Sequence, residues 1–216
     1  MELKDKKVNF LGDSITEGAG ASGYEHFFVT VFGKMTGAVA RNYGIGGTRI
    51  ARKKAASANP RWDLCFLDRV EKMDPDADIV VIFGGTNDFG HGDAPIGTLA
   101  DTDEYTFCGA MKSLLERVIN RYPDATVVVM TPTHRLSEAS TVNEIGLPTE
   151  PLSEFVRLEK EIAALYSVPV LDLWAVSGIQ PCIPVMKERY TADGLHPNDR
   201  GAERIADRLI GFLNTL

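Results

Sequence analysis

Cysteine is scarce: Cys65, Cys108 and Cys182 are the only three in 216 residues. Without paired spacing they form neither a disulfide framework nor a zinc pattern, and they fit a reducing compartment. Positive charge is also short, with 23 Lys and Arg against 30 Asp and Glu, a net −7. That argues against nucleic acid or an anionic membrane as the main partner, since phosphates are gripped by clustered Lys and Arg. The single basic run, from Arg49 to Lys54, reads as a solvated face. No apolar run approaches the roughly 18 residues of a membrane helix, and no signal peptide is visible. The expectation is a cytoplasmic protein without integral membrane association.

What is present is ordinary for a globular protein: 44% apolar and 25% charged residues. A chain of this length buries roughly 70% of its unfolded surface and needs no metal to hold a core, so one domain over 1–216 is expected. Five strand-length apolar runs stand out, at Val8–Leu11, Val39–Tyr43, Ile79–Phe83, Thr126–Met130 and Val168–Leu171. The third and fourth are apolar throughout, as in a parallel sheet covered on both faces. Between and after them lie helix-like segments near Tyr24–Met35, Trp62–Met73, Glu104–Arg121, Leu152–Tyr166 and Asp199–Leu213. Asp101 and Glu104 are spaced as a capping box for the third of these. The alternation predicts a three-layer α/β/α sandwich around a five-stranded parallel sheet. The irregular stretch Pro132–Pro151 is read as a lid or a substrate wall.

Ligands of open parallel sheets bind beyond the carboxyl ends of the strands. The residues there are Gly12-Asp13-Ser14 after the first strand, Gly44-Ile45-Gly46-Gly47-Thr48 after the second and Gly84-Gly85-Thr86-Asn87-Asp88 after the third. Asp193-Gly194-Leu195-His196-Pro197 precedes the last helix. In this order and on these elements, the four blocks resemble the SGNH (GDSL-type) family of serine esterases and acylhydrolases, over essentially the whole chain. The resemblance implies the SGNH hydrolase fold, a five-stranded parallel sheet of flavodoxin-like order, with Ser14 as nucleophile, His196 as general base and Asp193 orienting the imidazole. It further implies an oxyanion hole built from the backbone N–H groups of Ser14 and Gly47 and the side-chain amide of Asn87. The family's second block usually carries serine where this chain has Gly46, so whether Gly46 or Gly47 donates is left open.

The chemistry is coherent without the family. A serine hydroxyl needs a neighbouring base to take its proton. Imidazole suits that task, with an ordinary pKa near 6.5, and a carboxylate on its far nitrogen fixes the tautomer. Neutral donors then receive the charge that develops on the carbonyl oxygen. Gly46, Arg49, Phe89 and His91 are candidate pocket residues, although an exposed ion pair is the default for Arg49. Asp13 and Asp88 read as loop braces, and His26 and His134 as structural or exposed. Trp62 and Trp174 belong to core or rim.

The leading expectation is therefore an ester hydrolase that uses a small-molecule ester, needs no cofactor or metal and acts on small acyl groups such as carbohydrate O-acetyl esters. Lysophospholipid or thioester substrates are the near alternative. From other classes come a non-catalytic flavodoxin-like binding module and a metallohydrolase with Asp13, Asn87, Asp193 and His196 as ligands. The latter set holds only one histidine. Assembly into a homo-oligomer is left open.

Overall fold

The structure is a computed structural model that describes residues 2–216. β1 (Lys7–Gly12) runs into α1 (Ser14–Glu17), a short 3₁₀ turn at Tyr24–His26 and α2 (Phe28–Thr36). β2 (Val39–Gly44) is followed by 3₁₀ segments at Pro60–Asp63 and Phe66–Lys72, then β3 (Ile79–Phe83) and α3 (Thr86–His91). α4 (Phe107–Arg121), β4 (Thr126–Met130), α5 (Leu152–Leu165) and β5 (Val170–Leu171) complete the sheet. α6 (Leu173–Val176), α7 (Pro184–Tyr190) and α8 (Asp199–Leu213) close the chain.

All strand pairs are parallel, in the order β2-β1-β3-β4-β5, as the sequence implies. The two-residue period of β3 explains its unbroken apolar run. Val80 and Ile82 join one core layer with Phe107, Leu114 and Phe155 of α4 and α5. Ile79, Val81 and Phe83 join the other with Phe28 and Phe32 of α2 and Leu209 of α8. Burying each such side chain is worth about 1.5–3 kcal/mol. Two sandwiching helical layers therefore fix the sheet, and its carboxyl edge becomes a rigid rim.

Three expectations about the elements are corrected. The segment expected as a helix near Trp62–Met73 is a pair of 3₁₀ turns. The helix expected near Tyr24–Met35 breaks at Phe27, whose backbone is extended. The capping box at Asp101 and Glu104 does not form: α4 begins at Phe107, with Thr106 Oγ1 accepting from Gly109 N–H. Glu104 instead pairs with Arg52 and Arg117.

Candidate active site

At the end of β1 the backbone has no room for a side chain, since a Cβ on Gly12 would come within 2.9 Å of Phe83 O. Asp13 then caps α1, with its Oδ1 accepting from Ile15 N–H at 3.0 Å. This cap sets Ser14 as the first helical residue, where a backbone N–H has no intrahelical acceptor. Burial raises the Asp13 pKa to about 6, against the lowering effects of the Ile15 N–H and His196.

The imidazole arrives from the far end of the chain. A backbone bridge between Thr191 and Pro197 closes a tight loop, and Asn198 caps α8 behind it. Within the loop, Asp193 Oδ1 accepts from the backbone N–H groups of Leu195 and His196 at 2.9 and 2.8 Å. Asp193 Oδ2 lies 2.7 Å from His196 Nδ1, and His196 Nε2 lies 3.0 Å from Ser14 Oγ. A carboxylate only accepts, so Nδ1 carries the proton and Nε2 is free to accept from the hydroxyl. Burial opposes ionisation of Asp193, but the bonds from His196 and Leu195 outweigh it and hold its pKa below the usual carboxylate value.

Gly46 and Gly47 part company. Gly46 N–H donates to Glu17 Oε2 at 2.8 Å. Gly47, at φ +74°, keeps an N–H without an acceptor among the described residues. Its conformation is left-handed, and the Trp62 ring lies where a Cβ would stand. Asn87 Nδ2 donates one proton to Thr48 O at 2.9 Å, which orients the amide and leaves its second proton free. Asp88 braces the same loop by accepting from Ile50 and Ala51 N–H at 3.0 and 2.8 Å. Burial raises its pKa to about 6 against those two bonds.

Two pocket assignments are corrected. Phe89 is 3% exposed and packs edge-on against Phe155 in the core, with the Arg135 guanidinium over its ring. It does not line a pocket. Arg49 does form an ion pair, with Asp63 Oδ1 at 3.5 Å, but it is 1% exposed rather than at the surface. Its Nη2 donates to Trp62 O at 2.9 Å, and its Nη1 contacts His91 Nδ1 at 3.1 Å and Gly47 O at 3.5 Å. His91 itself is half-buried beside Trp62, with ring centroids 5.3 Å apart.

Two further residues carry the site without a local sequence signal. Arg69 is buried, and its Nη1 donates to Gly12 O at 3.0 Å and Tyr43 O at 2.6 Å while its Nη2 reaches Thr48 Oγ1 at 3.0 Å. It thereby ties the ends of β1 and β2 to the second glycine turn. Burial lowers its pKa to about 10. Glu159 of α5 is buried behind Gly85, and neither carboxyl oxygen has a hydrogen-bond partner among the described residues. Burial, with Asp88, Asp13 and Asp172 nearby, raises its pKa well above the ordinary value.

The stretch Pro132–Pro151 is stitched to its surroundings. Leu136 N–H donates to Gly194 O, Glu144 N–H to Gly90 O, and Asn143 Nδ2 to Gly92 O. These bonds hold it against α3 and the His196 loop, the position of a wall.

A doubly wound parallel sheet with a hydroxyl, an imidazole and amide groups gathered at its carboxyl edge has the layout of a hydrolase, and its match to a known family makes it a hydrolase of carboxylic esters. Residues 10–204 match the GDSL-like lipase/acylhydrolase family, and the chain belongs to that family. A GDSL lipase from Mycobacterium tuberculosis is 25% identical over 222 residues, covering 99% of this chain and 84% of the relative. A solved Lactobacillus plantarum protein is 28% identical with a TM-score of 0.82, covering 99% of this chain and 98% of that one. A carbohydrate acetylesterase family member from Sinorhizobium meliloti shares the fold, with 18% identity, a TM-score of 0.65 and coverage of 97% and 98%. Among the described residues no helix is long and apolar enough to cross a membrane.

Proposed function

We propose that the protein hydrolyses carboxylic esters through an acyl-enzyme on Ser14. The observation that carries this reading is the unbroken line Ser14 Oγ to His196 Nε2 and His196 Nδ1 to Asp193 Oδ2, at 3.0 and 2.7 Å. As Ser14 Oγ attacks the carbonyl carbon, His196 Nε2 takes its proton, and Asp193 stabilises the imidazolium that forms. The carbonyl oxygen gains charge and is received by the N–H groups of Ser14 and Gly47 and by Asn87 Nδ2–H. These donors are already in place, so little reorganisation accompanies charging. Gly46 is not a donor in this scheme, because Glu17 occupies its N–H. His196 then gives its proton to the departing alcohol, draws one from water, and hydrolysis of the acyl-enzyme restores Ser14.

The preferred substrates are small acyl esters such as O-acetyl groups on carbohydrates. The residues beside Ser14 and Gly47 include Glu17, Gly46 and Trp62, an acid, a glycine and an aromatic rather than a run of aliphatic side chains.

The test is hydrolysis of p-nitrophenyl acetate by the wild type and Ser14→Ala. The expected loss in kcat is about 10⁴-fold or more. Activity retained in Ser14→Ala would falsify the assignment. Prolonged dialysis against a chelator is expected to leave the wild-type rate unchanged, and a rate restored only by added metal would favour the metallohydrolase.

A further inference from the structure

Arg49, His91 and Trp62 form a unit that the hydrolytic steps leave unused. Arg49 is buried and its guanidinium has donors only, so at the 3.1 Å contact His91 Nδ1 must be the acceptor. That bond fixes the neutral tautomer with the proton on Nε2. The surroundings agree with the geometry: burial and the Arg49 charge lower the His91 pKa to about 4, keeping the ring neutral at neutral pH. His91 Nε2 has no hydrogen-bond partner among the described residues, and the ring is half-buried with access to solvent.

The unit sits against the oxyanion turn. The same Arg49 Nη1 that holds His91 contacts Gly47 O, and Arg49 Nη2 holds Trp62 through its carbonyl. The Trp62 ring packs on Gly47 and against the His91 ring, and it is 38% exposed. A partly open aromatic face thus packs on the turn proposed to receive the substrate carbonyl, and a fixed neutral donor is joined to that turn through Arg49 and Trp62. A cationic donor there would favour anionic substrates. A neutral one selects an uncharged acceptor such as an ether, hydroxyl or second ester oxygen.

We propose that His91 Nε2–H and the Trp62 face are a specificity site for the alcohol half of the ester, selecting polyoxygenated alcohols of the sugar class. The assignment to the alcohol half follows from chemistry: an acetyl group offers no acceptor besides its carbonyl oxygen, which other donors take. This proposal rests on the ester-hydrolase reading above and adds to it the two side chains that select the alcohol half.

The experiment measures kcat/KM for glucose pentaacetate and for p-nitrophenyl acetate, and follows their ratio. His91→Leu removes the donor and is expected to lower the ratio about tenfold, as for one lost hydrogen bond. His91→Gln places an amide N–H near the Nε2 position and is expected to restore the ratio to within about threefold. Trp62→Ala lowers the same ratio, and because its ring packs on Gly47 the kcat/KM for p-nitrophenyl acetate reports separately any disturbance of the oxyanion turn. An unmoved ratio in both His91→Leu and Trp62→Ala overturns the proposal, as does an equal fall in the Leu and Gln variants or a wild type inactive on the sugar ester. Ser14→Ala is run alongside. If it retained turnover, the ester-hydrolase reading would fail, whereas a normal Ser14 result with an unmoved ratio removes only the specificity site.

Discussion

Asn87 shows how much one side chain must do. One amide proton is spent on Thr48 O, and this bond aims the other. Replacing Asn87 with Ala should lower kcat by about 10²–10³, equivalent to about 2.7–4 kcal/mol for one oxyanion donor. Steady-state kinetics with a thermal melt decides it. An unchanged kcat with a lowered Tm would make Asn87 a loop brace only. The residues at this scale that were legible in the sequence are those whose chemistry admits few substitutes: Ser14, Asp193, His196 and Asn87 follow strands or precede a helix in recognisable short blocks. Phe89 was misplaced because the segment after β3 reads as a loop. It is helical, and at about 100° per residue His91 shares the Asn87 face while Phe89 turns away into the core. Arg49 was misread because a charged residue is exposed by default, and only tertiary packing shows that four acceptors, Asp63 among them, surround this one.

At the scale of elements, the 3₁₀ segment Phe66–Lys72 matters more than its length suggests. Three residues per turn place Phe66 and Arg69 one above the other, with the guanidinium 4.7 Å from the ring centroid. From there Arg69 reaches both β1 and β2 and the turn carrying Gly47. Arg69→Met leaves Gly12 O, Tyr43 O and Thr48 Oγ1 without that partner, at a cost of about 1–3 kcal/mol for each group that stays buried and unpaired. The expected outcome is a clear fall in Tm together with a kcat at least about tenfold lower at a temperature where the variant is folded. Arg69→Lys should rescue little, because one ammonium does not reproduce the planar fork. A folded Arg69→Met with normal kcat would reduce Arg69 to a core brace. Nothing in the local sequence separates this segment from an α-helix, since apolar spacing of three fits both. The strands β3 and β4 were legible because burial on both faces forces continuous β-branched runs, whereas the edge strand β2, partly exposed along its length, showed only a weaker apolar signal. The short helices α1 and α3 were not legible, being too brief to show a period.

For the whole molecule, three carboxyls buried beneath the catalytic edge set the pH dependence. Asp13 and Asp88 have folded pKa values raised to about 6, and that of Glu159 is raised well above its ordinary value. For each, the folded state binds a proton more tightly than the unfolded state. Stability is therefore highest below the unfolded pKa and falls as pH rises through the folded one, with a slope of up to about 1.4 kcal/mol per pH unit per group. For Asp13 and Asp88 the window runs from about 4 to about 6, and Glu159 acts in the same sense. Asp193 and Glu104, whose folded values are lowered, act in the opposite sense and withdraw stability as pH falls below the usual carboxylate range. Denaturation of the wild type should show stability rising as pH is lowered from 7 to 5, across the range where Asp13 and Asp88 take up their protons. Glu159→Gln, a neutral isostere, should flatten that rise and melt higher than the wild type at pH 8. A wild type that grows less stable from pH 7 to 5 would contradict the assignment.

The order in which the parts leave the ribosome has its own meaning. Ser14 and the amide turns are synthesised early, and the five strands are complete by Leu171, before the loop that brings Asp193 and His196. A nascent chain with its sheet already laid down would carry a serine with no imidazole opposite it. On the mechanism proposed, hydrolytic competence switches on only when α8 docks beside α2, and half-made chains stay inert towards the esters around them.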